Sequence, residues 1–295
     1  MAEKRKFYGM RNDYMFHAVL QKNEEVLRNL LATLLEIDEA EIESCHIENP
    51  IELGKEIEGK ECILDVKLTL NNDKVINIEL QVYKQTYWIN RSLLYWARTY
   101  DNLKSGQDYS MLLPAYHIGI LDFTLFENHP KFMAQYQILD VEDGYLYSDK
   151  LCIKVLDLTQ LEKAKQEPET NKKLLKWASI FKAETLEELE QLASGEEVFE
   201  NMVVTMKKLS EDEKIRMQCE AREDYERSLL TEYNAGKSEG IEQGIASERG
   251  NTEKERQRAE KESQRAEKER QRAENESQRA DALAAEVERL RALLK

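Results

Sequence analysis

The sequence of 295 residues contains only four cysteines and four prolines, and it has no long apolar segment. Cys45, Cys62, Cys152 and Cys219 are scattered without a C-x-x-C pair, which argues against a zinc site and against a disulfide framework. No apolar run approaches the length of a membrane span, and the first ten residues lack the apolar region of a secretory signal. We therefore expect a cytoplasmic protein with no membrane partner.

Motifs of several enzyme classes are also missing. There is no P-loop, no G-x-G-x-x-G and no nucleophilic Ser or Cys motif. His117 and His129 have no partner at ligand or dyad spacing, so we expect each to be structural or exposed. The 43 basic and 58 acidic residues give a net charge of -15, which argues against binding nucleic acid through the whole surface.

The most informative segment runs from Glu61 to Tyr83 and alternates between apolar and polar residues on both sides of an Asn-Asn-Asp turn. This pattern predicts two strands joined as a hairpin. Side chains point to opposite faces of a strand in turn, so the apolar residues share one face. The opposite face then carries four residues with functional side chains, Asp65, Lys67, Glu79 and Gln81.

The length of the turn decides which residues of the hairpin face each other. A two-residue loop would set Asp65 against Leu80 and mix the two faces, whereas an odd loop or a bulge sets Asp65 against Glu79 or Gln81. Facing carboxylates repel each other unless a cation, a proton or water lies between them. Mg²⁺ suits such a pair because it accepts one or two carboxylates together with waters and phosphates. The alternative is an ordinary solvated polar face.

A helical pattern from Tyr87 to Leu103 follows the hairpin. A strand with Asp, a strand with Glu-x-Gln and then a helix is an order that resembles the core of the PD-(D/E)XK nucleases. More narrowly, the chain resembles the recombination-promoting nuclease/transposase family of bacteria over roughly residues 11–246. The order and spacing of five pieces carry this resemblance: N-D-Y-M-F at Asn12 to Phe16, I-L-D-V-K-L at Ile63 to Leu68, I-E-L-Q at Ile78 to Gln81, R-S-L-L-Y-W-A-R-T-Y at Arg91 to Tyr100, and H-I-G-I-L-D-F at His117 to Phe123.

The resemblance implies an α/β fold with a restriction-endonuclease-like core, a mixed central sheet flanked by helices. It implies Mg²⁺-dependent hydrolysis of DNA, with Mn²⁺ as a substitute metal, in recombination, transposition or defence. Asp65 and Glu79 would hold the metal and Gln81 would orient the attacking water. Lys67 would either supply positive charge or be a surface lysine.

Two residues depart from the superfamily pattern. Leu64 stands where the superfamily has Pro, and Gln81 stands where it has Lys, although members of this family commonly carry Gln there. Because Gln brings no positive charge, a second hypothesis remains. In that hypothesis the core is a degenerate nuclease, and the protein is a DNA-binding or assembly factor that acts through its C-terminal helix.

Four further residues are weaker candidates. Asp13 is either a helix cap or an acidic residue that leans into the metal site, and Glu36 is a candidate for the same second role. Arg91 and Arg98 share one helix face with Tyr95. The two arginines would either contact phosphates or site carboxylates, or be solvated.

The pattern divides the chain into four parts: a nuclease-like core at 1–158, a helical region at 159–232, a Gly-containing linker at 233–250 and a heptad-repeat helix or coiled coil at 251–295. The tail repeats E-K-E-R-Q-R-A with variations and ends in Leu and Val residues spaced three and four apart. The repeats place Ala and Glu at the seam positions, which indicates either a weak coiled coil or a single charged helix. We expect a homo-oligomer that associates through this helix.

Overall fold

A computed structural model describes residues 6–51, 53, 65–84 and 86–293. Its strands are β1 (Cys45–Ile47), β2 (Val66–Leu70), β3 (Lys74–Gln81), β4 (Ala115–Leu121), β5 (Met133–Leu139) and β6 (Leu146–Asp157). They form one sheet in the order β1-β2-β3-β4-β6-β5. The β3–β4 and β4–β6 pairs are parallel and the other pairs are antiparallel, so the sheet is mixed as predicted.

The α-helices are α1 (Asp13–Lys22), α2 (Glu24–Leu35), α3 (Trp88–Tyr100), α4 (Leu161–Ala164), α5 (Lys172–Lys182), α6 (Leu186–Ala193), α7 (Glu197–Glu211) and α8 (Glu213–Leu293). Short 3₁₀ helices occupy Glu39–Glu41, Tyr109–Met111 and Leu158–Gln160. α1 and α2 are separated at Asn23, whose backbone is extended. Its side chain accepts a hydrogen bond from the N–H of Val26 and so caps α2.

One face of the sheet packs on helices and holds the larger core. The alternation predicted for the hairpin is confirmed, because Val66, Leu68 and Leu70 of β2 are buried in this core. They pack with residues of the helices, among them Tyr14, Phe16, Leu30, Leu31, Trp177, Phe181, Phe199 and Met202. Burying this apolar row fixes the register, since a slip by one residue would exchange the two faces of the strand.

The other face of the sheet is covered by α3. A smaller apolar cluster forms around Trp88, together with Leu121, Phe123, Ile153 and Val155. The polar row of β2 and β3 lies on this face, because strand neighbours of the buried apolar residues point the opposite way. A helix therefore covers a row of charged and amide side chains, and this arrangement positions the candidate site.

The chain divides into two units, Met1–Ser228 and Leu229–Lys295. In the second unit the described residues are helical, including those suggested above as a linker. Leu283 and Val287 are exposed there. The four-part division and the coiled coil stay predictions, and Glu61 to Leu64 and Leu294 lie outside the described residues. None of the helices that the structure describes combines the length and apolar composition that crossing a bilayer requires.

Candidate metal centre

The turn of the hairpin sets the geometry of the site. β2 and β3 pair so that Val66 faces Ile78 and Leu70 faces Lys74, which leaves a three-residue loop. Asn71 and Asn72 in this loop have φ of 50° and 56°, a left-handed conformation that Asn tolerates better than most residues. The odd loop is therefore confirmed. Continuing the register by one residue places Asp65 opposite Glu79 rather than Gln81.

Both carboxylates are buried. Asp65 is 7% exposed and Glu79 is 1% exposed, which is rare for acidic side chains. The pKa of Asp65 is raised to about 8, chiefly by burial and then by the charge of Glu79, while Arg91 and a hydrogen bond from Asn77 oppose the rise. Two acidic groups so placed need positive charge nearby, whether from a side chain or from a bound cation.

Arg91 of α3 supplies part of that charge. Its Nη2 lies 3.1 Å from Glu79 Oε1, and its guanidinium stacks 5.0 Å from the ring centre of Tyr95, one helical turn further on. The guanidinium carbon of Arg98 lies 6.0 Å from the centre of the same ring. Of the two predicted arginines, the structure thus brings Arg91 to the site carboxylates, while Arg98 is exposed.

Asn77 and His117 complete the buried polar row. The parallel pairing of β3 with β4 sets Asn77 directly beside His117. Asn77 Nδ2 lies 3.3 Å from Asp65 Oδ2 and 3.2 Å from His117 Nδ1. His117 Nε2 lies 3.5 Å from Glu79 Oε2. The sequence showed no partner for His117, whereas in the fold it contacts Asn77 and Glu79 of β3.

A glycine allows α3 to approach the sheet beside Glu79. Gly119 is the β4 neighbour of Glu79, and a Cβ placed on it would lie 2.3 Å from Cζ2 of Trp88. Real atoms do not approach so closely, so the indole of Trp88 occupies the space that a side chain would need. This contact holds the first turn of α3 against β4. Arg91 lies in the same helix, three residues after Trp88.

Asn49, which follows β1, fixes the backbone at the start of β2. Asn49 donates from Nδ2 to the carbonyl of Asp65 at 2.7 Å and accepts from the N–H of Lys67 at 2.8 Å. The ammonium of Lys67 pairs with Glu48 Oε2 at 2.9 Å. Lys67 therefore shares a strand face with Asp65, but its charge is directed to Glu48.

Gln81 ends β3 and is half-buried. It lies two residues after Glu79 and hence on the same face. Its carbonyl accepts from the N–H of Asp122 at 3.0 Å, so its backbone is fixed at the carboxyl end of the strand.

Asp13 and Glu36, the two weaker acidic candidates, lie in different places in the fold. Asn12, not Asp13, caps α1 by accepting from the N–H of Met15. The single Nε–H of Arg222 is instead shared between Oδ1 and Oδ2 of Asp13, each at 3.0 Å, and Nη2 also donates to Oδ2. The charge of Asp13 contributes to the raised pKa of Asp65.

Glu36 lies elsewhere, 3.5 Å from Nζ of Lys154. Lys154 aligns with Ile118 and Ile78 across the sheet, so its side chain shares their face. That face is opposite to the one that carries Glu79.

The residues present fit a divalent cation held by two carboxylates. Within the part of the chain that the structure describes, neither oxygen of Glu79 accepts a hydrogen bond of good geometry, although both are buried. A buried carboxylate with free lone pairs is suited to binding a cation. The described residues include no cluster of three or more His, Cys, Asp or Glu side chains at ligand distances. Asp65 and Glu79 with waters match the way Mg²⁺ is usually bound.

Comparison with known proteins identifies the family of the chain. A family model described as PD-(D/E)XK nuclease family transposase matches residues 10–236, which is more than half of the chain. No curated protein and no solved structure matches the chain. PD-(D/E)XK nucleases generally use divalent metal ions, and the family indicates a nuclease or mobile-element role. The matched range includes both strands of the hairpin, α3 and the mixed sheet, and the chain belongs to the PD-(D/E)XK nuclease family transposases.

Proposed function

We propose that this protein is an endonuclease that hydrolyses phosphodiester bonds of DNA with Mg²⁺, which Mn²⁺ can replace. The observation that carries the proposal is the buried pair of Asp65 and Glu79, in which the oxygens of Glu79 lack hydrogen bonds among the described residues. A family of nucleases supports DNA as the substrate.

In this proposal Asp65 and Glu79 hold the metal, which supplies an activated water and offsets charge on the scissile phosphate. Gln81 orients that water, because its amide both donates and accepts hydrogen bonds. Lys67 would assist only after leaving Glu48, so we assign it a secondary role. Arg91 balances the charge of Glu79 in the metal-free protein.

The family also supports a proposal about the biological setting. We propose a role in recombination, transposition or defence, which require DNA cleavage. The C-terminal helix would join copies of the chain and so bring two nuclease cores to one DNA. Exposed apolar side chains near its end, Leu283 and Val287, support this part of the proposal.

A second candidate function is supported by the placement of Lys67. Its ammonium pairs with Glu48, and Gln81 stands where the superfamily has Lys, so the hairpin brings no lysine to the carboxylates. A site without that charge would stabilise the transition state less. The chain would then bind DNA or assemble with partners without cleaving, and Asp65 and Glu79 would bind no divalent cation.

Cleavage of supercoiled plasmid DNA tests the choice between the two functions. We expect the wild type to nick the plasmid with Mg²⁺ or Mn²⁺ and to be inactive in EDTA. Asp65→Ala and Glu79→Ala should each abolish nicking, whereas Glu43→Gln, at an exposed acidic position, should keep it. A folded wild type that cleaves with neither metal would support the second function. Cleavage by Asp65→Ala would show that the nuclease site is elsewhere.

A further inference from the structure

We propose that Asn77 and His117 are positioning residues that together fix the orientation of the two metal-binding carboxylates. This role rests on the proposed function of Asp65 and Glu79. Asn77 is 5% exposed and His117 is 0% exposed, and both lie on the polar face of the sheet under α3. Buried polar side chains are costly unless they are hydrogen-bonded, so their contacts define what they do.

The contacts of Asn77 determine which nitrogen of His117 carries the proton. The amide nitrogen Nδ2 has two hydrogens and only donates. It faces two acceptors, Asp65 Oδ2 at 3.3 Å and His117 Nδ1 at 3.2 Å. Because Nδ1 accepts this bond, the proton of the neutral imidazole lies on Nε2.

The proton on Nε2 lies beside the second carboxylate. Nε2 is 3.5 Å from Glu79 Oε2, an electrostatic contact rather than a hydrogen bond, and neither atom has a hydrogen-bond partner among the described residues. The rings of Trp88 and Tyr95 pack against the imidazole, at 5.9 and 6.4 Å between ring centres, and hold its plane. Hydrogen bonds thus join Asp65, Asn77 and His117, and His117 reaches Glu79 by the 3.5 Å contact of its Nε2.

These contacts connect the two proposed metal ligands, Asp65 and Glu79, through neighbouring side chains of the sheet. Asp65 and Glu79 face each other across β2 and β3, while His117 belongs to β4 and is the parallel neighbour of Asn77. Each carboxylate thus has one oxygen directed toward the Asn77–His117 pair. Hydrogen bonds to ligating carboxylates orient the lone pairs used for the metal, and losing such partners typically costs metal affinity.

The proton position is tested on the metal-free, full-length wild type by ¹⁵N NMR of its histidine side chains. We expect His117 to show an unprotonated Nδ1 and a protonated Nε2. The signal is assigned by its loss in His117→Gln. A proton on Nδ1 would overturn the proposal, because Asn77 could not then donate to that atom.

The second test is calorimetric titration of the full-length protein with MnCl₂. Asn77→Leu and His117→Leu should each bind Mn²⁺ roughly 10- to 100-fold more weakly than the wild type. His117→Gln should lose less, since its amide N–H reaches toward the position of Nε2. The matched control is His129→Gln at an exposed position, which should bind as the wild type does. Circular dichroism melts establish that each variant is folded.

The outcomes separate this role from the proposed function. If the wild type binds Mn²⁺ and both folded leucine variants bind it equally well, the positioning role is overturned and the metal site stands. If the wild type itself binds no Mn²⁺, the proposed function fails, and the positioning role fails with it. If the leucine variants do not fold, His117→Gln and the proton position decide.

Discussion

At the scale of single residues, this fold buries several acidic groups close together and balances them with arginines. Glu79 faces Arg91, and Asp13 accepts from Arg222. A buried charge that loses its partner costs far more than an exposed ion pair contributes. The acidic residues of this region are therefore sensitive both to the loss of an arginine and to pH.

Glu226 provides a prediction about pH. Its pKa is raised to about 7, chiefly by burial and then by the charges of Asp13 and Glu223, while Arg222 and Arg11 oppose the rise. A carboxyl group whose pKa is higher in the folded state is held more easily in its neutral form by the fold. Its contribution to stability is therefore fully present below the unfolded pKa and is lost as the pH rises through the folded pKa, near 7. Glu226→Gln should therefore raise the free energy of unfolding at pH 8, by about 1–3 kcal/mol, and by much less at pH 4.5.

Urea denaturation of wild type and variant at the two pH values measures this difference. The control is Glu242→Gln at an exposed position, for which we expect no dependence of the effect on pH. An equal gain for Glu226→Gln at both pH values would contradict the assigned cause.

Arg91 provides a second prediction at this scale. Arg91→Met keeps part of the stem but leaves Glu79 buried without its guanidinium, so it should destabilise the fold by about 1–3 kcal/mol. The loss should be smaller in a Glu79→Gln background and smaller with saturating Mg²⁺ than in EDTA. Thermal melts of the four proteins in both buffers measure the effect. Arg98→Met, at an exposed position of the same helix, is the control, and an equal loss there would contradict the prediction.

At the scale of elements, the site depends on how α3 is seated against β3 and β4. Short-range patterns predicted the hairpin, its faces and the helix, because alternation and helical spacing are local properties of the sequence. They did not predict that β4 lies parallel to β3, and only that pairing brings His117 beside Asn77. Likewise, Asp13 and Arg222 are separated by 209 positions, so no local pattern relates them.

Gly119→Ala tests the seating of α3. The added Cβ would meet the indole of Trp88, so the first turn of the helix must shift away from the sheet. We expect a loss of about 1–3 kcal/mol in stability, as for other overpacked cores. Trp88→Phe in the Gly119→Ala background should recover part of the stability, since the smaller ring leaves space. Unchanged stability in Gly119→Ala would show that the contact is not tight.

At the scale of the whole molecule, the net charge of -15 shows that DNA binding cannot depend on a uniformly basic surface. In our account the nuclease core cleaves DNA, and the charged C-terminal helix associates with other copies of the chain. The long helix follows from a sequence rich in Glu, Lys, Arg, Gln and Ala, which are strong helix formers. Its association depends on few apolar residues, because most of its repeat is charged.

The association can be tested near the end of the helix. Leu283→Asp combined with Val287→Asp should lower the molar mass of the protein in solution from that of an oligomer to that of one chain, as measured by light scattering. Both side chains are exposed in the single chain, so the substitutions should not affect the fold of a monomer. Gln278→Asp in the charged repeat is the control. A monomeric wild type would contradict the predicted role of this helix.

The central claim is that Asp65 and Glu79 form a metal centre, and anomalous X-ray diffraction from crystals soaked in Mn²⁺ tests it most directly. We predict a manganese peak bound by both carboxylates at about 2.1 Å, the distance expected for Mg²⁺ in the same position. The guanidinium of Arg91 should then be displaced from Glu79. A peak elsewhere, or none at the hairpin with the ion pair between Arg91 and Glu79 intact, would contradict the account.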